Sequence, residues 1–151
     1  MISVKANTAK VEIALDNLMK QMPQKVERAL STTAQQGINI ILDRTEKGRG
    51  INGPFTRYTP AYAKRKAEGW PSTKTQRAFS GDPSGIVNLN VRGEMLASMT
   101  SKAKRTTATI FFSRATENNK AYWNSRKRPF FGFNDQEKRT LAKVFQKAFK
   151  L

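Results

Sequence analysis

Thr106-Thr107-Ala108-Thr109-Ile110-Phe111-Phe112-Ser113 is the stretch that decides the fold class. β-Branched and aromatic residues alternate along it, and Ala108, Ile110 and Phe112 share one face, the period-two pattern of a half-buried strand. Residues 100–105 precede it as the other arm of a hairpin. A further strand is expected over Ile86, Val87, Leu89 and Val91, followed by one or two helical turns within Arg92 to Met99. Working outward from this small sheet, the flanking sequence turns helical.

On the C-terminal side, Asn134 with Glu137 three residues on forms a capping box. The apolar positions Leu141, Val144, Phe145, Ala148 and Phe149 then recur at helical spacing, opposite Lys143, Gln146, Lys147 and Lys150. Before it, Ala115 to Trp123 reads as a helix and Arg128-Pro129-Phe130-Phe131-Gly132-Phe133 as an edge strand or rigid extended segment. On the N-terminal side, Thr8 to Lys20 carries Val11, Ala14, Leu15, Leu18 and Met22 on one face of a short helix. Pro23 suits the first turn of a second helix, whose apolar face holds Val26, Leu30, Ala34, Ile38, Ile41 and Leu42 until Gly48 ends it. At ~1.5 Å per residue that second helix spans ~35 Å.

Between the N-terminal helices and the sheet lies a different regime. Gly48 to Pro54 is rich in turn residues, Thr59-Pro60 caps a short basic helix that Gly69 closes, and Trp70 to Gly85 shows no apolar period. The sequence thus predicts one α+β domain over residues 1–151, helical over 8–47, an extended basic loop over 48–85, and sheet plus C-terminal helix over 86–151. Its long N-terminal helix and amphipathic C-terminal helix pack on a small, mostly antiparallel sheet.

Composition limits the chemistry. The chain has 28 Lys and Arg against 11 Asp and Glu, a net charge of +17. Residues 1–50 contribute +3 and residues 51–151 contribute +14, so the excess belongs to the part after the N-terminal helices. Such a field attracts nucleic acid or acidic proteins. There is no Cys and no His, which excludes disulfides, thiolate chemistry and Ser–His or Cys–His catalysis. No D-x-D or E-x-K cluster of carboxylates stands out, and no enzyme activity, metal or cofactor is expected. The start of the sequence lacks the apolar core of a signal peptide and no run nears the ~20 apolar residues that span a bilayer, so no membrane partner is expected and assembly is expected in cytoplasm.

Base and aromatic residues concentrate together in three places: Phe55 to Lys66, Tyr122 to Arg128, and Phe130 to Phe133. Aromatics interleaved with cations can stack bases and neutralise phosphates. Aromatics in a small domain are also the usual core, and both readings stay open on sequence alone.

The order of three segments resembles a known family. Gly53-Pro54-Phe55-Thr56-Arg57-Tyr58-Thr59-Pro60-Ala61-Tyr62-Ala63-Lys64-Arg65-Lys66, then Leu89 to Met99 with Gly93, Met95, Leu96 and Ser98, then Arg128-Pro129-Phe130-Phe131-Gly132-Phe133, are similar to the phage virion-morphogenesis and tail-completion group. That group includes the lambda-like minor tail protein Z and the Mu-like virion morphogenesis protein. Trp70 to Gly85 departs from the compact form of the group.

The resemblance implies a structural protein of the phage neck or upper tail, located in the virion, which completes the tail and joins it to the head. It implies a self-associated ring, six copies being the expectation, between head-closure and tail-terminator neighbours, with double-stranded DNA passing nonspecifically through the lumen. Gly53, Pro54, Phe55, Tyr58, Pro60, Tyr62, Gly93, Met95, Leu96, Pro129, Phe130, Phe131 and Gly132 become its structural motif residues. Arg57, Lys64, Arg65, Lys66, Lys74 and Arg77, with Arg126, Lys127 and Arg128 as a second patch, become the expected DNA-facing or ring-contacting cations. The alternatives are a stand-alone basic nucleic-acid-binding protein and, third, a carboxylate-metal nuclease.

Overall fold

A computed structural model describes the backbone of residues 8–150 and the side chains of residues 21–150. Helix α1 runs without a break from Thr8 to Glu46, ~58 Å at ~1.5 Å per residue. The two helices expected to part at Pro23 are therefore one. Proline costs ~3 kcal/mol inside a helix because it removes one backbone donor, yet its φ is helical and the residues on both sides carry the helix through. The predicted apolar face at Val11, Ala14, Leu15 and Leu18 lies outside the described side chains, and Met22 is 43% exposed.

Beyond Pro23 the expected face is observed from Ala34 onward, while Val26 and Leu30 are only half-buried. Ala29, Ala34, Ile38 and Ile41 are buried, and Leu42 packs beside them. Gly37 sits in this face because a Cβ there would stand 2.9 Å from Phe133 Cζ and 3.1 Å from Ile110 Cδ1. A mid-helix glycine costs ~1 kcal/mol relative to alanine, and here it admits the Phe133 ring against the helix.

Gly48, at φ 72°, ends α1. Strands β1 (Arg49–Gly50) and β2 (Gly53–Pro54) then pair antiparallel across a two-residue turn. Helix α2 spans Pro60–Glu68, capped by the Thr59 hydroxyl, which accepts from the Tyr62 N–H. Helix α3 is the single turn Glu94–Ala97. Strands β3 (Met99–Lys104) and β4 (Thr107–Phe112) form the expected antiparallel hairpin, with Lys104 opposite Thr107 and Met99 opposite Phe112. Helices α4 (Ala115–Lys127) and α5 (Asp135–Lys150) complete the chain.

The fold is α+β, with both sheets two-stranded and antiparallel. The β3–β4 hairpin and α5 both lie against α1. The core gathers Ile38 and Ile41 of α1 and Met99 and Phe112 of the hairpin with Phe55, Val87, Met95, Leu96, Ala121 and Phe130. The capping box of α5 is formed reciprocally: Asn134 Oδ1 accepts from the Glu137 N–H and Glu137 Oε2 from the Asn134 N–H, each at 2.9 Å.

Three local expectations are corrected. Residues 86–91 form no strand, because Asn88 draws the backbone into turns. Its Oδ1 accepts from the Asn90 N–H at 3.1 Å, its own N–H bonds the Ile86 carbonyl, and Leu89 adopts φ 54°. Residues 128–133 bend at Arg128, Phe131 and Gly132 and join no ladder, since their carbonyls are engaged elsewhere: Pro129 accepts from the Ile51 N–H, and Phe130 and Gly132 accept from Arg44. Finally, the extended basic loop expected over 48–85, with its exposed stretch from Trp70 to Gly85, is more ordered than that. Besides β1, β2 and α2 it contains an antiparallel bridge in which Trp70 and Phe79 exchange both backbone hydrogen bonds.

Candidate functional site

The bridge brings the chain back across the end of α2 at very close range. A Cβ at Gly69 would lie 2.2 Å from the Phe79 carbonyl oxygen, and one at Gly81 would lie 2.3 Å from that of Ala67, with both glycines at positive φ. Only residues without a Cβ allow this crossing. It is locked by Lys66, whose ammonium sits 3.0 Å from Asp82 Oδ2 and donates to Asn88 Oδ1 at 2.7 Å. Asp82 also accepts from Ser84, and that bonding, with Lys66 beside it, holds its carboxyl well below the usual carboxylate range.

This lock fixes Trp70 and Gln76 opposite α4. Together with residues 57–65, residues 89–95 and α4 they enclose a groove of about 840 Å³. Six cations line it, Arg57, Arg65, Arg92, Lys120, Lys127 and Arg128, against one acid, Glu94. Lys120, Asn124 and Lys127 recur at i, i+4 and i+7 and so share one face of α4. Tyr58 and Tyr62 meet edge to face at 4.8 Å in the wall. Burial pushes both phenols above their ordinary pKa, outweighing a backbone hydrogen bond with Leu89 at Tyr58 and the nearby cations at both.

The lining cations are of two kinds. Arg65 is held over the Trp70 ring at 5.3 Å. Arg128 is held over Tyr58 at 4.8 Å and donates to the Thr56 and Arg57 carbonyls. Lys120 pairs with the buried Glu117 at 2.9 Å. By contrast Arg57, Arg92 and Lys127 are exposed and form no ion pair among the described residues.

The expected cations thus separate. Arg57, Arg65, Lys127 and Arg128, from two patches distant in sequence, meet in this groove. Lys64 lies outside it beside Glu68, Lys74 is exposed in the loop that the Trp70–Phe79 bridge closes, and Arg77 reaches Glu94 at 3.7 Å. Lys66 is corrected: it is 3% exposed and serves the Asp82 lock, so it faces no partner. Arg92 and Lys120 were missed by sequence reasoning, although the spacing of Lys120 to Lys127 carried a signal.

The motif residues split likewise. Phe55, Met95, Leu96 and Phe130 are core, while Gly53, Pro54 and Pro129 shape the turn where Ile51 binds the 128–133 segment. Pro60 opens α2, Gly93 caps α3 at φ 75°, and Gly132 lies at φ 142°. Tyr58 and Tyr62 line the groove, and Phe131 packs against Phe112 with the rings tilted at 44° while remaining partly exposed.

Next along α4 stand Tyr122 and Trp123, 58% and 60% exposed, with the Arg126 guanidinium 6.0 and 5.4 Å from their ring centroids. Here the core reading of the aromatic clusters fails, whereas for Phe130 it holds. Among the described residues no helix is long and apolar enough to cross a membrane, and no group of three or more acids stands where it could hold a metal ion. No protein-family model, curated protein or solved structure matches this chain.

Proposed function

We propose that this chain is a structural protein of the bacteriophage neck or upper tail, which completes the tail and joins it to the head as a ring around the DNA path. The observation that carries the reading is the exposed trio Tyr122, Trp123 and Arg126 on α4. Aromatics and arginine are the residue types that dominate protein interfaces, and two large rings held in water by an ordered helix fit a self-association surface. The three segments that resemble the tail-completion group also come together, since residues 57–65, 89–95 and Arg128 border one groove. The ring's cations would meet passing DNA through phosphates alone, reversibly and without reading sequence.

Mass spectrometry of purified particles from the phage that encodes this chain tests the reading directly. The chain is expected in stoichiometric amount, and micrographs should trace it as side-by-side copies at the neck. Its absence from the particle would sink the proposal. The net charge also suits the second reading, a stand-alone nucleic-acid binder. That reading expects the isolated monomer to bind DNA with log affinity falling steeply against log salt, and absence of binding at low salt removes it.

A further inference from the structure

We propose that the groove between α2, residues 89–95 and α4 binds an extended acidic peptide segment of a partner protein, its carboxylates held by Arg57, Arg92 and Lys127. This deepens the assembly reading by giving the chemistry of one neighbour, and rests on that reading only for where the peptide comes from.

Charge sets the sign of the ligand, with six lining cations against a single acid that Arg77 already accompanies. The three exposed cations without an ion pair among the described residues supply the free charge, and guanidinium forks match carboxylates in paired hydrogen bonds. Thr59, Gln76 and Asn124 in the wall add polar atoms suited to a peptide backbone. A groove of about 840 Å³ is of the ~300–1,000 Å³ size that encloses a compact ligand, and it accommodates a few residues of an extended chain.

The aromatic rings decide between peptide and single-stranded nucleic acid. Base stacking needs open ring faces. Tyr58 already carries Arg128 at 4.8 Å and Lys66 at 5.2 Å, with Tyr62 against it. Trp70 carries Arg65 at 5.3 Å and Phe79 at 4.8 Å. The Tyr58 and Trp70 rings are engaged in positioning cations and Tyr62 packs edge-on against Tyr58, which leaves charge and hydrogen bonding as the chief means of recognition.

Fluorescence anisotropy on the isolated, full chain tests this with a short labelled peptide alternating aspartate, leucine and glutamate, beside a labelled oligothymidylate of equal charge. The peptide is expected to bind more tightly than the oligonucleotide. The double variant Arg92→Glu with Lys127→Glu should weaken peptide binding by about tenfold or more, and Arg57→Gln by a smaller factor. The control Lys147→Glu with Lys150→Glu, on the last turn of α5, changes the net charge equally and should alter binding by no more than about twofold. Equal losses in both double variants would reduce the effect to the overall field and overturn the proposal. So would tighter binding of oligothymidylate, or no binding of the peptide at low salt. Because the measurement needs no virion, its outcome is independent of whether the chain is found in particles.

Discussion

Arg44 of α1 and Glu137 of α5 form an ion pair in which the carboxylate caps its own helix while the guanidinium also donates to the Phe130 and Gly132 carbonyls. One side chain thus joins the N-terminal helix, the 128–133 segment and the C-terminal helix. Both partners are largely out of solvent. Removing Glu137 leaves a mostly buried guanidinium without its counter-charge, a loss of ~3 kcal/mol or more. Glu137→Ala is therefore expected to lower the urea midpoint by that equivalent at unchanged slope. A loss under ~1 kcal/mol would show the pair to be a surface contact in effect.

The crossing of Gly69 and Gly81 makes a second prediction. At Gly69 a methyl group would meet backbone atoms of Phe79, Ser80 and Gly81 at 2.8 Å or less, at a φ of +77°. Neither the carbonyl nor the dihedral can yield cheaply, so Gly69→Ala is expected to cost ~2 kcal/mol or more. The damage should centre on the Trp70–Phe79 bridge, read as faster amide exchange at Trp70 and Phe79. An alanine variant with native protection there contradicts the crossing.

Asp82 supplies a pH dependence. Its pKa is depressed in the folded chain, so its contribution to stability is fully present above the unfolded value of ~3.9 and is lost as pH falls below that toward the depressed one. Wild type should lose stability over that acid range more steeply than Asp82→Asn, in which the group no longer titrates. Parallel curves for the two proteins would remove Asp82 from the acid response.

Truncation of the exposed trio tests self-association. Trp123→Ala should leave the melting temperature of the isolated chain nearly unchanged, since the ring is mostly in water. It should also weaken oligomer formation by ~2 kcal/mol, roughly thirtyfold in dissociation constant, by sedimentation equilibrium. Unaltered association would place the interface elsewhere.

Local signals with their own chemistry were legible in the sequence. The Asn134–Glu137 box, the Thr59-Pro60 helix start and the alternation over residues 107–112 each appear where expected. Failures came where a single residue's chemistry competes with a pattern. Asn88 turns an apolar run that reads as a strand, and Arg44, from 86 residues away, draws off the Phe130 carbonyl. The groove was half legible. Arg57, Arg65, Lys127 and Arg128 are conspicuous in the sequence, yet Lys66 beside them is buried, and only the path of 66–88 distinguishes it. Nothing local marks Arg92 as their neighbour.

The Arg44 contacts also set a timetable for synthesis. Arg44 and Glu137 are 93 residues apart, so at ~5–20 residues per second the C-terminal partner of α1 is made ~5–20 s after the helix itself. Until Phe112 is made the apolar face of Ile38 and Ile41 has neither the hairpin nor α5 to cover it, and for the rest of the interval α5 is still missing. The nascent chain is then a natural client for a holding chaperone, and closure of the domain is a late event that waits on its last elements.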